Sequence, residues 1–263
     1  MNKSRLILVK IGGEVAESES TSLSLLSDLH ELISRGYRVV LCHGAGPQIT
    51  RELKKRSVTS EFIDGQRVTD AETLEVTCQI LLGEINRKLV ALCNENSDLA
   101  VGLSGIDSGI YRVTQRDKNL GFVGKIKTIN TALLENILDR GLIPIVACLG
   151  LDERGQVYNI NADSAAGELA KALKADSYLI FTNVEGLYGA YPDKNTLLQE
   201  VNLEKLKQMR QGASLKEGMI PKVESIIIAL EGGVKDAVIV DGRKEHAVLN
   251  TIEGKINGTI IRQ

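Results

Sequence analysis

The chain has 263 residues, 43% of them hydrophobic and 25% charged, with a formal net charge of -2. That is enough to bury a large core, as one big α/β domain or two lobes, and the charge balance argues against non-specific nucleic-acid binding. No apolar run is long enough to span a bilayer.

The stretch MNKSRLILVKIGGEV has one short apolar run followed by Gly-Gly, which reads as a first strand and not as a signal peptide. The helical spacing of Leu25, Leu29, Leu32 and Ile33 predicts a helix that stops at Gly36. YRVVLCHGAG is a second strand, and Pro47 suits the start of a helix after it. DAETLEVTCQILLGEINRKLVALCNEN is a long helical stretch, LAVGLSGID a third strand, and GIYRVTQRDKNLGFVGKIKT a β excursion off the main sheet. A helix in TALLENILDRG and a buried strand in LIPIVACLG follow. The remaining chain alternates again: helix ADSAAGELAKALKA, strand SYLIFTNVEG, a helix from about Pro221 to Leu230, and strand DAVIVDG. Such alternation predicts an open, mostly parallel sheet with helices on both faces. Cys42, Cys78, Cys93 and Cys148 form no CxxC pair, and the three histidines have no ligand spacing. Reduced cysteines in a cytoplasmic protein, with no protein-built metal site, are the expectation.

Ligands of such sheets bind outside the carboxyl ends of the strands. Those ends read KIGG, HGAG, SGID and TNVEG. Glycines bare the backbone there, and Gly44-Ala45-Gly46 before Pro47 forms a candidate anion cradle. A single loop of this kind is ordinarily a plain strand-to-helix turn; several on one edge favour a phosphate site. There is no GxxxxGK[ST], and GAGPQI fails GxGxxG because Ile49 stands where the third glycine belongs. What remains is lysine. Lys10 ends the first strand, and Lys222 lies in the first turn of a helix, at the positive end of its dipole. A solvated lysine tolerates that position at a cost of about 0.3–1 kcal/mol; an anion between lysine and helix removes the cost. Phosphoryl transfer needs such charges more than it needs a nucleophilic side chain. Asp163 opens a helix and has helix capping as its plain alternative role. Asn159 and Asn161 share a face of the extended approach to it. Arg67, in DGQRVTD, is a candidate clamp for a substrate carboxylate.

KIGG (from Lys10), HGAGPQ (from His43), GQRVTD (from Gly65), LSGID (from Leu103), GFVG (from Gly121), NINAD (from Asn159), TNVEG (from Thr182) and GMIPK (from Gly218) occur in this order. In this the chain resembles the amino acid kinase family, in the branch that acts on N-acetyl-L-glutamate, over nearly its whole length. The resemblance implies a three-layer αβα sandwich with an open, mostly parallel central sheet. It implies an N-terminal lobe, 1–174, for the amino-acid substrate and dimerisation, and a C-terminal lobe, 175–263, for ATP. The implied reaction phosphorylates the side-chain carboxylate of N-acetyl-L-glutamate with ATP, a step of arginine biosynthesis, with Mg2+ held mainly by phosphates and water. Implied catalytic residues are Lys10, Asp163 and Lys222, with Asp163 orienting both lysines. Gly44, Ala45, Arg67 and Asn159 are implied for substrate, and Gly12, Gly13, Thr182, Asn183, Gly186, Leu187, Tyr188, Gly218 and Met219 for nucleotide.

Two positions depart from the family pattern. Ala45 replaces the middle one of three glycines, which is tolerable only at negative φ. Glu14 follows Gly-Gly where a small or neutral residue is usual. Rival readings are a same-fold kinase of carrier-linked aminoadipate, carbamate or uridylate, and a non-catalytic nucleotide or arginine sensor. Arg67 and Asn159 favour a free acylated amino acid, and the retained Lys10, Asp163 and Lys222 favour catalysis. Only MNKSR precedes the first strand, little more than one helical turn at ~3.6 residues each. The expectation is therefore a homodimer through the N-terminal lobe, with the helix Ala71–Asn94 contributing, and no arginine feedback through an added N-terminal helix. No nucleic-acid or membrane partner is expected.

Overall fold

The computed structural model describes residues 4–212, 215–255 and 258–263. Met1–Lys3 of the leading segment, and Ala213 and Ser214 of the loop before Gly218, lie outside the described residues. From the N-terminus, β1 (Leu6–Ile11) leads through α1 (Gly13–Glu17) and α2 (Glu19–Ser34) to β2 (Arg38–His43) and α3 (Gly46–Lys55). A short hairpin, β3 (Phe62–Ile63) and β4 (Gln66–Arg67), precedes a rod in three parts: α4 (Ala71–Cys78), a π-helical stretch Gln79–Asn86, and α5 (Arg87–Cys93). Next come β5 (Ala100–Ser104), β6 (Tyr111–Gln115), β7 (Gly124–Ile129), α6 (Ala132–Asp139), β8 (Ile143–Ala147), β9 (Leu149–Leu151) and β10 (Val157–Asn159). The last part holds α7 (Ala162–Leu173), β11 (Ser177–Thr182), β12 (Glu200–Asn202), α8 (Leu203–Gln211), α9 (Ile220–Glu231), β13 (Asp236–Asp241), α10 (Ala247–Ile252) and β14 (Gly258–Arg262).

Eight strands form one sheet in the order β12-β14-β13-β11-β1-β2-β8-β5. Every neighbouring pair in it is parallel except β13 with β14. The excursion is real: β6, β7, β9 and β10 make a separate four-stranded sheet. Its loop is tied back to the turn after β4, where Phe122 N–H donates to the Thr69 carbonyl at 2.6 Å.

β1 explains the layering. All six of its residues are buried, and successive side chains leave opposite faces of a strand. Leu6 and Leu8 enter one core with α6, α7, α8 and α9, whereas Ile7, Val9 and Ile11 enter the other with α1, α2, α3, the rod and α10. Lys10 shares the parity of Leu6 and Leu8, so its side chain emerges on the α7 side, at the carboxyl end of the sheet. The same alternation that builds two cores thus aims one buried cation.

The first turns of α7 and α9 are brought together by a close helix–helix approach. A Cβ on Gly167 would lie 2.5 Å from the Ser225 carbonyl oxygen and 2.8 Å from its Cα. Ser225 is itself fixed, donating to the Lys222 carbonyl at 2.7 Å and sharing a hydrogen bond with the Tyr178 hydroxyl at 3.2 Å. Gly167→Ala must push α9 outward. Overpacking of this kind costs about 1–3 kcal/mol. A lowered Tm is expected by thermal unfolding, together with reduced activity because Lys222 rides on α9; unchanged Tm would show that the two helices separate freely.

Candidate active site

At the carboxyl ends of β1, β2 and β11 opens a cavity of about 650 Å³. Lys10, Asp163 and Lys222 meet in it. Lys10 Nζ stands 2.6 Å from Asp163 Oδ1, an ion pair whose approach is off the line of a well-directed hydrogen bond. Lys222 Nζ stands 3.3 Å from Asp163 Oδ2 and also donates to the Gly218 carbonyl at 3.2 Å. The Lys10 and Asp163 side chains are only 4% and 8% exposed, and Lys222 16%, so water screens these charges weakly.

Electrostatics follows from that burial. Desolvation opposes the charge on Asp163, but Lys10 and then Lys222 outweigh it and hold its carboxyl below the ordinary value. Lys222 moves the other way from an ordinary lysine. Burial first, and then the charge of Lys10, push its pKa down, against the pull of Asp163. One carboxylate therefore serves two lysines, and the cluster keeps a surplus positive charge.

Asp163 does not cap α7. Asn161 does, its side chain accepting from Asp163 N at 3.0 Å and Ser164 N at 3.1 Å. With the cap supplied two residues earlier, the Asp163 side chain is released toward the lysines. Asn159 lies beside the cavity with its amide donating to Thr69 Oγ1 at 3.3 Å.

Arg67 lines the same cavity. Its guanidinium is buried and donates to Ser60 Oγ (2.6 Å), Thr50 Oγ1 (2.8 Å) and the Gly46 carbonyl (3.1 Å), while Phe62 lies 4.7 Å from it. These partners are all neutral. Among the described residues no carboxylate pairs with Arg67, and burial alone lowers its pKa. A buried cation held only by neutral oxygens is an anion receptor in the making.

The glycine loops frame the lysines. A Cβ on Gly13 would meet Gln48 Oε1 at 2.5 Å and Pro47 Cδ at 2.7 Å, so only glycine lets the first loop touch α3. Gln48, not singled out in the sequence, locks this contact by donating to the Gly13 carbonyl at 2.7 Å. Gly44 lines the cavity, but its N–H donates to the Ile11 carbonyl at 3.2 Å and so extends the strand ladder. Ala45 sits at φ -149°, outside the strained region, which accounts for the absence of a glycine. Its methyl packs into the core, and it is the one candidate residue that does not line the cavity.

Gly12, Thr182, Asn183, Gly186, Leu187, Tyr188, Gly218 and Met219 all line the same cavity. Leu187 N–H donates to Thr259 Oγ1 at 2.8 Å, pinning that loop to β14. Tyr188 meets Tyr191 edge-on, and the Lys216 ammonium lies 3.8 Å over the Tyr191 ring. Tyr191, Lys216, Phe62 and Glu14 are lining residues that the candidate set lacked. Tyr191 and Lys216 carry no local pattern that a sequence reading would detect.

The chain matches the amino acid kinase family over residues 5–241. It is 41% identical over 252 residues to the chloroplastic acetylglutamate kinase of Arabidopsis thaliana, covering 95% of this chain and 73% of that protein. It is 38% identical over 247 residues to acetylglutamate kinase of Caldanaerobacter subterraneus subsp. tengcongensis, covering 93% and 83%. Among solved structures, N-acetylglutamate synthase from Neisseria gonorrhoeae, complexed with coenzyme A and N-acetyl-glutamate, superposes with a TM-score of 0.86. That match covers 98% of this chain and 59% of the other, and at 24% identity it speaks to the fold alone. A family match over residues 5–241 and relatives of about 40% identity along nearly the whole chain agree, and the chain belongs to the amino acid kinase family.

Proposed function

We propose that this chain transfers the γ-phosphoryl group of ATP to the side-chain carboxylate of N-acetyl-L-glutamate, giving ADP and N-acetyl-L-glutamyl 5-phosphate, a reaction of arginine biosynthesis. The relatives named acetylglutamate kinase support the substrate. The observation that carries the chemistry is the charge pattern: a surplus cation at Lys10–Asp163–Lys222 and an anion receptor at Arg67, in one cavity.

The acceptor carboxylate is already ionised at neutral pH, so it attacks phosphorus without a general base. A bond forms from its oxygen to the γ-phosphorus as the bond to ADP breaks. Lys10 and Lys222 offset the charge spread over the transferring group, and Asp163 keeps both in position. Arg67 holds the α-carboxylate and Asn159 its neighbourhood, with Gly44 giving room. The bared backbone at Gly12 and Gly13 borders the phosphates. The loop Thr182–Tyr188, with Gly218 and Met219, borders the rest of the nucleotide. On this reading residues 1–174 serve the amino acid and 175–263 the nucleotide, although one sheet runs through both by way of the β1–β11 pair.

The metal is proposed to be Mg2+, which when bound neutralises charge on the β- and γ-phosphates. The donor set suits an ion brought in by the nucleotide. Of the two carboxylates lining the cavity, Asp163 is already taken by the lysines, and the described residues gather no group of three or more His, Cys, Asp or Glu. We further propose a cytoplasmic homodimer assembled through the N-terminal lobe and the rod 71–93. No helix among the described residues is long and apolar enough to cross a membrane, and the free cysteines suit a reducing compartment.

Lys222→Ala and Lys10→Ala are each expected to lower kcat by ~10²–10³ while changing KM little, because their charge acts on the transition state. Steady-state kinetics with acetylglutamate reads this, and a near-normal kcat would remove the lysine from the mechanism. Arg67→Ala is expected to raise KM for acetylglutamate strongly and to leave ATP affinity intact. Equal loss of both affinities would make Arg67 a structural residue, and turnover of carbamate or aminoadipate in preference to acetylglutamate would reassign the acceptor.

A further inference from the structure

Glu14 is an exposed carboxylate on the first turn of α1, directly after the Gly12–Gly13 loop, and it lines the cavity with Lys10 and Lys222. None of the cations around it bonds to it: Lys10 and Lys222 both face Asp163, and Arg243 forks onto Asp241 through Nε at 2.9 Å and Nη2 at 2.7 Å. Among the described residues nothing hydrogen-bonds or ion-pairs with the Glu14 carboxylate. Its field nevertheless reaches Lys222 and Arg243, favouring the charged form of each.

A free negative charge at the mouth of a polyphosphate site is unfavourable for a bare polyanion. It becomes tolerable when a divalent cation sits on the phosphates and screens the repulsion. Resting on the phosphoryl-transfer reading of this cavity, we propose that Glu14 is a specificity-determining residue that makes the site reject free ATP and accept the metal–ATP complex. The carboxylate thereby ties nucleotide binding to the presence of the metal, before any acceptor arrives.

The test is equilibrium binding without acetylglutamate, so that no turnover occurs. Calorimetry would compare ATP in Mg2+ with ATP in EDTA for the wild type, Glu14→Gln and Glu14→Asp. The wild type is expected to lose far more affinity than Glu14→Gln when Mg2+ is removed. Glu14→Gln should bind free ATP about tenfold more tightly than the wild type, the order of one partly screened unit charge at short range. Glu14→Asp, which keeps the charge, should retain most of the wild-type ratio. Equal Mg2+-to-EDTA ratios in the wild type and Glu14→Gln would overturn the proposal while leaving the nucleotide site standing. A wild type that binds no Mg–ATP at all would overturn the phosphoryl-transfer reading itself. Glu14 is exposed, so its variants should fold; circular dichroism confirms this before binding is read.

Discussion

Two ammonium groups of like charge, Lys10 buried and Lys222 half-buried, cannot share a pocket without an anion, and Asp163 supplies it. Three features of the fold converge on that carboxylate. Strand parity in β1 sends Lys10 to the α7 face. The cap on α7 is moved to Asn161, so Asp163 is free to reach both lysines. The bare surface of Gly167 lets α9 approach closely enough to deliver Lys222. Because one carboxylate balances two cations, the cluster is pre-organised yet under-neutralised. Breaking a buried pair of this sort is costly, which keeps the geometry fixed before any substrate binds.

The cavity holds two cationic features: the lysine–aspartate–lysine cluster with its surplus charge, and Arg67, which is hydrogen-bonded only to neutral oxygens. The backbone loops that border the cavity are kept low by glycine and braced by Gln48 on the Gly13 carbonyl. The wall also carries aromatic surface at Phe62 and Tyr191. Glu14, exposed and unpaired among the described residues, is the exception to that positive field.

Much of this was legible in the sequence for identifiable reasons. Strand–helix alternation and glycine-ended strands gave the parallel sheet and the edge where the site lies. Lys222 was conspicuous because a cation at a helix N-terminus breaks a local rule, and such breaks mark sites. Other features were not legible. Asp163 and Asn161 are both good capping residues in one short tract, and only the observed hydrogen bonds decide between them. The φ of Ala45 cannot be read from its identity, and neither can the turning of its methyl toward the core. The π-helical stretch inside the rod keeps an apolar face that reads as ordinary α-helix. The edge strand β12 and its neighbour β14 are only 3 and 5 residues long, and the sheet that stabilises them is assembled from distant chain.

On the phosphoryl-transfer reading, the lysine–aspartate–lysine cluster suits the charge of a group in transfer better than that of a resting nucleotide. The most direct measurement is the calorimetric affinity for ADP with aluminium fluoride and acetylglutamate in magnesium buffer, compared with that for ADP alone, in the wild type and in Lys222→Ala. The variant is expected to keep most of its ADP affinity and to lose most of the extra affinity for the fluoride complex. Equal losses for both ligands would contradict it, and would make the cluster a nucleotide anchor with no special part in the transfer.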